Sequence, residues 1–550
     1  MFSSKENVLL TLALLRAYGI KQAVLCPGSR DIPLVQGLAQ CHEISCHSFT
    51  DERAAGFAAI GLILQTKAPC AVVVTSGSAL LNLHPAVCEA YYRHLPLLII
   101  SADRAAAWIG QNDGQTLPQI NVFNSLVKYC GQACEVKDKL DAWHCERTIK
   151  EALLALTTPP FAPVQLNVPI GDPFFDFSVA TLPVLQPLEA ASLADLPTIC
   201  ARYRRIALIL SASDLDTPPT GAQQEALAAR FVIIAEQLSN AQQACFLNYP
   251  ELWAGQLLKQ DATAQAQMAP DLVITLGGQI LSKALKRYLR LCDCDHLDLS
   301  ADGTVADVFM HERYIIKASY SDALHALCAL PQEKLAPPYL APQDYALKTS
   351  PNRVVLPYSH IGMLQRLLNA LPPHSVLHLA NSSTVRYAAY FALPPQVRVY
   401  ANRGVNGIEG SLSTAVGAAL ADPEHLHFVC IGDLSFFYDL NALWTRGMVK
   451  NLRVILFNNS GGEIFAALPG LKLDARAANF VTAPHQTSAL PWAQSCGFKV
   501  ATVTSAAQMD ALLPKLQQTS AAPYLVEVMT KVDDDLAAVK QLTTALITTN

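Results

Sequence analysis

Short, nearly continuous apolar runs that end at small or acidic residues constrain this chain more than any other feature. "QAVLCPGS" (22–29), "CAVVVTSGS" (70–78), "LPLLIISAD" (95–103) and "FAPVQLNVP" (161–169) are separated by stretches with helical periodicity. A strand that is apolar on both faces needs cover on both, and strands joined through helices run parallel. The expected architecture is therefore α/β, with doubly wound parallel sheets. Two stretches break the rhythm: 178–202, rich in Pro, Ala and Leu, and 331–357, an extended connection with six prolines. They leave three blocks, 1–178, 200–330 and 355–550. A chain of 550 residues is too long for one core, and its 51% hydrophobic content can fill several. Ligands of open sheets bind beyond the carboxyl ends of the strands, so the residues just after each run are the candidates for chemistry.

Charge narrows the function classes. Lys and Arg number 40 against 45 Asp and Glu, a net charge of -5, which offers no general attraction for nucleic acid or an anionic membrane. The opening "MFSSKENVLLTLALLRAYG" suits an amphipathic helix, and no cleavage site follows it, so no signal peptide is expected. No apolar segment reaches the roughly 20 residues that span a bilayer, so no membrane insertion is expected either. Fifteen cysteines lie in apolar contexts without a CxxC pair, the pattern of reduced, buried thiols in a cytoplasmic protein. Cys292 and Cys294 form the one CxC and are read as packing.

Two strand ends late in the chain converge. "HFVCIGD" is a strand ending in Gly432 and Asp433, "FFYDLNALWTRGM" is helix-like, and "LRVILFNNSGG" is a second strand running into a loop. A right-handed βαβ crossover puts Asp433 and Asn459 at the same edge. A carboxylate, an amide oxygen and a main-chain carbonyl exposed at Gly461 form a hard oxygen set that suits Mg²⁺. The amides of Leu434 and Ser435 open a helix, whose N-terminus attracts phosphate. Together they describe a metal-bound diphosphate site.

This segment resembles the motif of the thiamine diphosphate (ThDP) enzymes, GDG followed by NN, with Leu434 replacing the last glycine. "GDLS" with "NNSGG" is similar to one member family, the 2-succinyl-5-enolpyruvyl-6-hydroxy-3-cyclohexene-1-carboxylate synthases of menaquinone biosynthesis. The resemblance implies a ThDP-binding fold with a pyrimidine domain at 1–178, a Rossmann-like middle domain at 200–330 and a diphosphate domain at 355–550. It implies ThDP with Mg²⁺, or Mn²⁺ in its place, and a homodimer or homotetramer with the active site at the subunit interface. "FTDERAAGFAAIGLIL" (49–64) matches the family's segment with the cofactor-activating acid, Glu52, in the first turn of a helix capped by Thr50 or Asp51.

Arginines at or just after strand ends suit carboxylate substrates, because the guanidinium fork grips such groups in bidentate fashion. Residue by residue, the resemblance assigns Ser382, Arg386 and Arg403 to the succinyl carboxylate of 2-oxoglutarate. It assigns Ser29, Arg30, Arg104 and Gln115 to isochorismate, with Lys283 of the middle block reaching the same acid. Ile408 matches the apolar wedge that bends the cofactor; Ile464, Phe465 and Leu468 match hydrophobic residues over the active site. Asn406 and Glu409 depart from the family's loop. The implied reaction decarboxylates 2-oxoglutarate and adds the succinyl carbanion equivalent to isochorismate in a 1,4 fashion. The alternatives are another ThDP enzyme, such as a 2-oxoacid decarboxylase or an acetohydroxyacid synthase, or a non-catalytic paralogue.

Overall fold

Successive strand residues are buried on opposite faces of the sheet, in register with the pleat, which is why the apolar runs are continuous. In the strand Cys70–Val74, Ala71 and Val73 pack into one cluster while Cys70, Val72 and Val74 pack into another on the opposite face. The computed structural model describes all residues but 214–216, 242, 346, 348, 446–448, 469 and 548–550.

Three six-stranded sheets result. The first holds β1 (Gln22–Leu25), β2 (Ser45–Ser48), β3 (Cys70–Val74), β4 (Leu97–Asp103), β5 (Tyr129–Gln132) and β6 (Val164–Pro169), in the order β2-β1-β3-β4-β6-β5. The second holds β7 (Glu189–Ala191), β8 (Ile206–Leu210), β9 (Val232–Ala235), β10 (Leu272–Leu276), β11 (Asp295–Ser300) and β12 (Glu312–Lys317), in the order β7-β12-β11-β10-β8-β9. The third holds β13 (Val376–Leu379), β14 (Arg398–Tyr400), β15 (His427–Gly432), β16 (Leu452–Asn458), β17 (Lys499–Val503) and β18 (Tyr524–Met529), in the order β14-β13-β15-β16-β18-β17. Pairing in the first and third sheets is parallel throughout. The chain divides into two compact units, Met1–Ser192 with 296–298 and 303–317, and the remainder.

Some expectations shift. The stretch 178–202 contains β7 and the helix Leu196–Cys200, so the second sheet begins before residue 200. The helix-like segment 436–448 yields a helix at Asp433–Tyr438 and a 3-10 turn at Leu440–Leu443, with 446–448 outside the described residues. The first helix, Glu6–Ala17, is buried on most sides rather than amphipathic. Its polar Asn7 is accommodated by donating to the carbonyls of Ala133 and Pro169, at 3.2 and 2.7 Å. Fifteen cysteines are free, Cys292 and Cys294 among them, and no described helix is long and apolar enough to cross a membrane.

One buried cation braces the third sheet. Arg453, at the amino end of β16, is fully buried. It donates to the carbonyls of Leu516 (3.0 Å), Lys450 (2.8 Å), Leu452 (3.0 Å) and Gln518 (2.6 Å). Leu516 ends the helix Ala506–Leu516, so the guanidinium meets the negative pole of that helix.

Candidate active site

Gly432 stands opposite Phe457 across the β15–β16 pair, so both strands leave the sheet at one edge. The residues beyond them meet: the Gly461 N–H donates to Asp433 Oδ2 at 3.0 Å. Gly461 adopts φ +152°, and a Cβ there would lie 2.7 Å from the Thr482 carbonyl, so this turn admits only glycine. Asp433 is buried, which raises its carboxyl above the usual range, against the opposing pull of the Leu434 and Gly461 amides and of His485, 3.2 Å away. Asn459 donates its amide to Glu463 Oε2 at 3.1 Å, which turns its Oδ1 away from that acid. The carboxylate of Asp433, the amide oxygen of Asn459 and the carbonyl of Gly461 form a donor set of the right hardness for Mg²⁺ or Mn²⁺.

One expectation needs correction here. The Leu434 amide does not stand open for a phosphate, because it donates to Asp433 Oδ1 at 2.6 Å, the nearest acceptor. Leu434 nonetheless lines the cavity above the strand ends with Ser382, Ile408, Gly432, Asp433, Ser435, Asn459, Gly461, Ile464 and Phe465. The Ser435 hydroxyl donates to the Ile408 carbonyl at 2.5 Å, tying the loop 402–410 to the Asp433 turn. Leu468 is 40% exposed and does not line this cavity. The two departures in the loop are accommodated locally. Asn406 takes a left-handed φ of 61°, which asparagine tolerates. The Glu409 carboxylate sits 2.4 Å from where a Gly407 Cβ would be.

Sequence reasoning missed the polar network in the cavity wall. Glu463 accepts from the Tyr387 hydroxyl at 2.6 Å and lies 3.0 Å from His360 Nδ1. Burial pushes its carboxyl up, but His360 and Tyr387 outweigh that and hold it below the usual range. The His360 ring stacks on Phe457 at 4.0 Å, and its main-chain N–H donates to Asp535 at 2.6 Å. Burial pushes Asp535 up to about 6. Each oxygen of Glu463 and Asp535 already accepts a bond, so this network orients Asn459 rather than holding an ion of its own. Only "GGEIF" carried a signal for it: an acid inside an otherwise apolar segment.

Asn381 is a second missed residue. It donates to the carbonyls of Asn402 and Gly407, at 2.7 and 2.6 Å, and accepts from Arg403 Nη1 at 2.8 Å. It thereby fixes the loop that carries Arg403. The Arg403 Nε is buried without a hydrogen-bond partner, and burial together with neighbouring Arg386 lowers the guanidinium below its usual value. Arg386 donates to the Ser382 carbonyl at 2.6 Å and is likewise lowered by burial. Two desolvated cations with spare donors make an anion pocket. Lys283, an exposed residue opening the helix Lys283–Leu289, lines a second cavity that also takes in Arg386, Glu251 and Tyr390.

The remaining candidates belong to the first unit. Glu52 is half-buried in the first turn of the helix Glu52–Thr66 and accepts from the Asn82 amide at 3.1 Å. The cap of this helix is Asp51, which accepts from Arg53 N and Ala54 N, at 2.9 and 3.3 Å. After β1, Ser29 is exposed, whereas Arg30 is buried over the Phe174 ring and donates to the Ile170 carbonyl at 2.8 Å. After β4, Arg104 points its buried Nε at Asp113 Oδ2, 3.4 Å away, an ion pair without a hydrogen bond. Burial, and then the charge of Arg104, lower the Arg30 guanidinium, so the two cations share one field. Gln115, at φ 56°, packs its backbone against Gly77, whose N–H donates to Gln119 at 2.8 Å.

Comparison with known proteins agrees with this geometry. Residues 9–122 match the family model of the N-terminal TPP-binding domain of thiamine pyrophosphate enzymes, and 381–528 match the model of the C-terminal one. A 2-succinyl-5-enolpyruvyl-6-hydroxy-3-cyclohexene-1-carboxylate synthase of Phocaeicola vulgatus is 42% identical, with 98% of each chain covered. Proteins of the same name from Bacteroides fragilis and Bacteroides thetaiotaomicron are 43% and 41% identical, covering 98% of this chain and 99% and 98% of theirs. The chain belongs to the 2-succinyl-5-enolpyruvyl-6-hydroxy-3-cyclohexene-1-carboxylate synthase family of thiamine diphosphate enzymes.

Proposed function

We propose that the protein joins 2-oxoglutarate to isochorismate with loss of CO₂, giving 2-succinyl-5-enolpyruvyl-6-hydroxy-3-cyclohexene-1-carboxylate for menaquinone biosynthesis. The observation that carries this reading is the meeting of Asp433, Asn459 and Gly461 in one cavity, with Arg386 and Arg403 desolvated nearby. Asp433, Asn459 and the Gly461 carbonyl would hold Mg²⁺ or Mn²⁺ on the diphosphate. ThDP, when bound, supplies the nucleophilic carbon and the electron sink.

The chain supplies orientation and charge. Glu52 takes and returns the proton at the pyrimidine ring that readies the cofactor. Ile408 props the two rings, with Ile464 and Phe465 excluding water. Arg386 and Arg403, with Ser382, hold the distal carboxylate of 2-oxoglutarate so that its keto carbon faces the cofactor. Ser29, Arg30, Arg104 and Gln115, with Lys283, orient isochorismate and neutralise its carboxylates. We assign the pyrimidine role to 1–178 and the diphosphate role to 355–550, flanking a middle domain at 200–330. The active site forms between subunits of a homodimer or homotetramer, Glu52 coming from one copy and the metal cavity from another. The reaction belongs in the cytoplasm, where fifteen free thiols stay reduced. Supplying ThDP, Mg²⁺ and both substrates and weighing the product tests the reading. The adduct mass is expected, whereas CO₂ release without an adduct would reduce the protein to a 2-oxoacid decarboxylase.

A further inference from the structure

Strand β15 has chemistry at both ends. Its last residue leads into Asp433; its first, His427, lies five steps earlier, about 17 Å away at ~3.3 Å per residue. A pocket at that opposite edge is lined by His374, Asp422, His425 and His427, with Arg398 and Tyr400. None of these residues has a part in the reaction above.

Four observations point to a ligand. His427 is 2% exposed, and its Nε2 is buried without a hydrogen-bond partner. That nitrogen stands 3.6 Å from Asp422 Oδ2, too far for a hydrogen bond. It is close to the ~3.4 Å that separates two ligands held at about 2.1 Å in a tetrahedron. Asp422 also lies 2.8 Å from His425 Nδ1, and the rings of His425 and His374 are 6.4 Å apart. Finally, the turn is braced from behind: the Asn451 amide donates to the carbonyls of Asp422 and His425, both at 2.8 Å.

The other His427 nitrogen is already engaged. Nδ1 lies 3.1 Å from Nε2 of buried His378. Burial pushes His378 down to about 3 and lowers His427 as well, so both rings are neutral. The site uses the His427 tautomer whose proton lies on Nδ1, toward His378, which leaves the Nε2 lone pair facing Asp422 and the pocket. An outer partner that fixes the tautomer of a ligating histidine is the usual support of such sites.

We propose that this pocket is a transition-metal site, taking a zinc-type divalent ion on His427 Nε2, the Asp422 carboxylate, His425 and His374. Imidazole with one carboxylate favours Zn²⁺, Co²⁺ or Ni²⁺ over Mg²⁺. Binding requires His425 and His374 both to turn about their side-chain bonds toward His427 and Asp422, and both residues are exposed.

The test uses the full chain saturated with ThDP and Mg²⁺, so that the oxygen site at Asp433 is filled. After chelation of trace metal, Zn²⁺ is titrated calorimetrically and Co²⁺ is followed by visible absorption. One Zn²⁺ per chain and the intense absorption of tetrahedral Co²⁺ are expected. Asp422→Ala with His425→Ala should weaken Zn²⁺ at least tenfold, while turnover without zinc stays unchanged. Zinc binding equally to this double variant, the weak absorption of octahedral Co²⁺, or no binding by the parent chain overturns the proposal. Should the double variant fail to fold by circular dichroism, His374→Ala, on an exposed loop, gives the same decision.

Discussion

The first and third sheets share one strand order but not one chemistry. If the six strands of each are numbered in chain order, both read 2-1-3-4-6-5. After the second-position strand, β1 leads to Ser29 and Arg30, while β13 leads to Ser382 and Arg386, a hydroxyl and a cation in each case. After the third-position strand the two diverge: β3 leads to "TSGS", and β15 to Gly432 and Asp433. At its own edge the first sheet ties up the Asp103 carboxylate with the Asn167 amide at 2.8 Å, whereas the third brings Asp433, Asn459 and Gly461 to the lining of one cavity. Topology assigns the edge, and a few side chains decide what the edge can hold.

The largest effect should come from removing the carboxylate that lines the third sheet's cavity. Asp433→Ala should lose cofactor-dependent turnover to below about 1% and weaken ThDP in the presence of Mg²⁺ beyond calorimetric detection. Retained binding would erase the contrast between the sheets. Mixing comes next. Chains carrying Glu52→Gln and chains carrying Asp433→Ala, inactive alone, should regain about a quarter of wild-type activity when subunits pair at random, since one site in four is then intact. No recovery would put both residues in the same copy's site.

A third prediction concerns the first sheet alone. Asp31 is fully buried, and burial pushes its carboxyl up to about 7 against the pull of its own main-chain amide and of the Thr75 hydroxyl. Its folded value lies above its unfolded one, so the folded state holds the proton more tightly. The Asp31 contribution to stability is therefore greatest below pH ~4 and declines as pH rises toward 7. Asp31→Asn should raise unfolding free energy at pH 8 by about 3 kcal/mol and leave pH 4 nearly unchanged, as read by urea melts. An equal gain at both pH values would refute this. The smallest effect is a change in affinity. Arg403→Lys keeps the charge but loses the fork, and should raise KM for 2-oxoglutarate about tenfold with little change in kcat. A fall in kcat alone would instead place Arg403 at the reacting carbon.

Much of this was legible in the chain because parallel strands write themselves as apolar runs and their carboxyl ends as small or acidic residues. Gly432, Asp433, Asn459 and Gly461 form a pattern within 30 positions. What stayed hidden depends on distance. His360 reaches Glu463 across 103 positions and Asp535 across 175, and no local period records such a meeting. Asn381 looks like a loop residue until its three bonds are seen. Leu434 misled because a helix start was expected to leave its amides open, when a side chain in the same turn had already claimed one. The histidines of "HSVLH" and "EHLHF" were visible, but only the β13–β15 register sets them side by side.

Arg453 has a practical consequence for anyone cutting or tagging this chain. Between Leu516 and Tyr524 the polypeptide makes a surface turn that looks like a safe place for an insertion. Yet two of the carbonyls that hold the buried guanidinium lie there, that of Leu516 at the helix end that opens the turn and that of Gln518 within it. Opening it would strand a positive charge on the strand that ends at Asn458, so a nick far from Gly461 should loosen that turn from below.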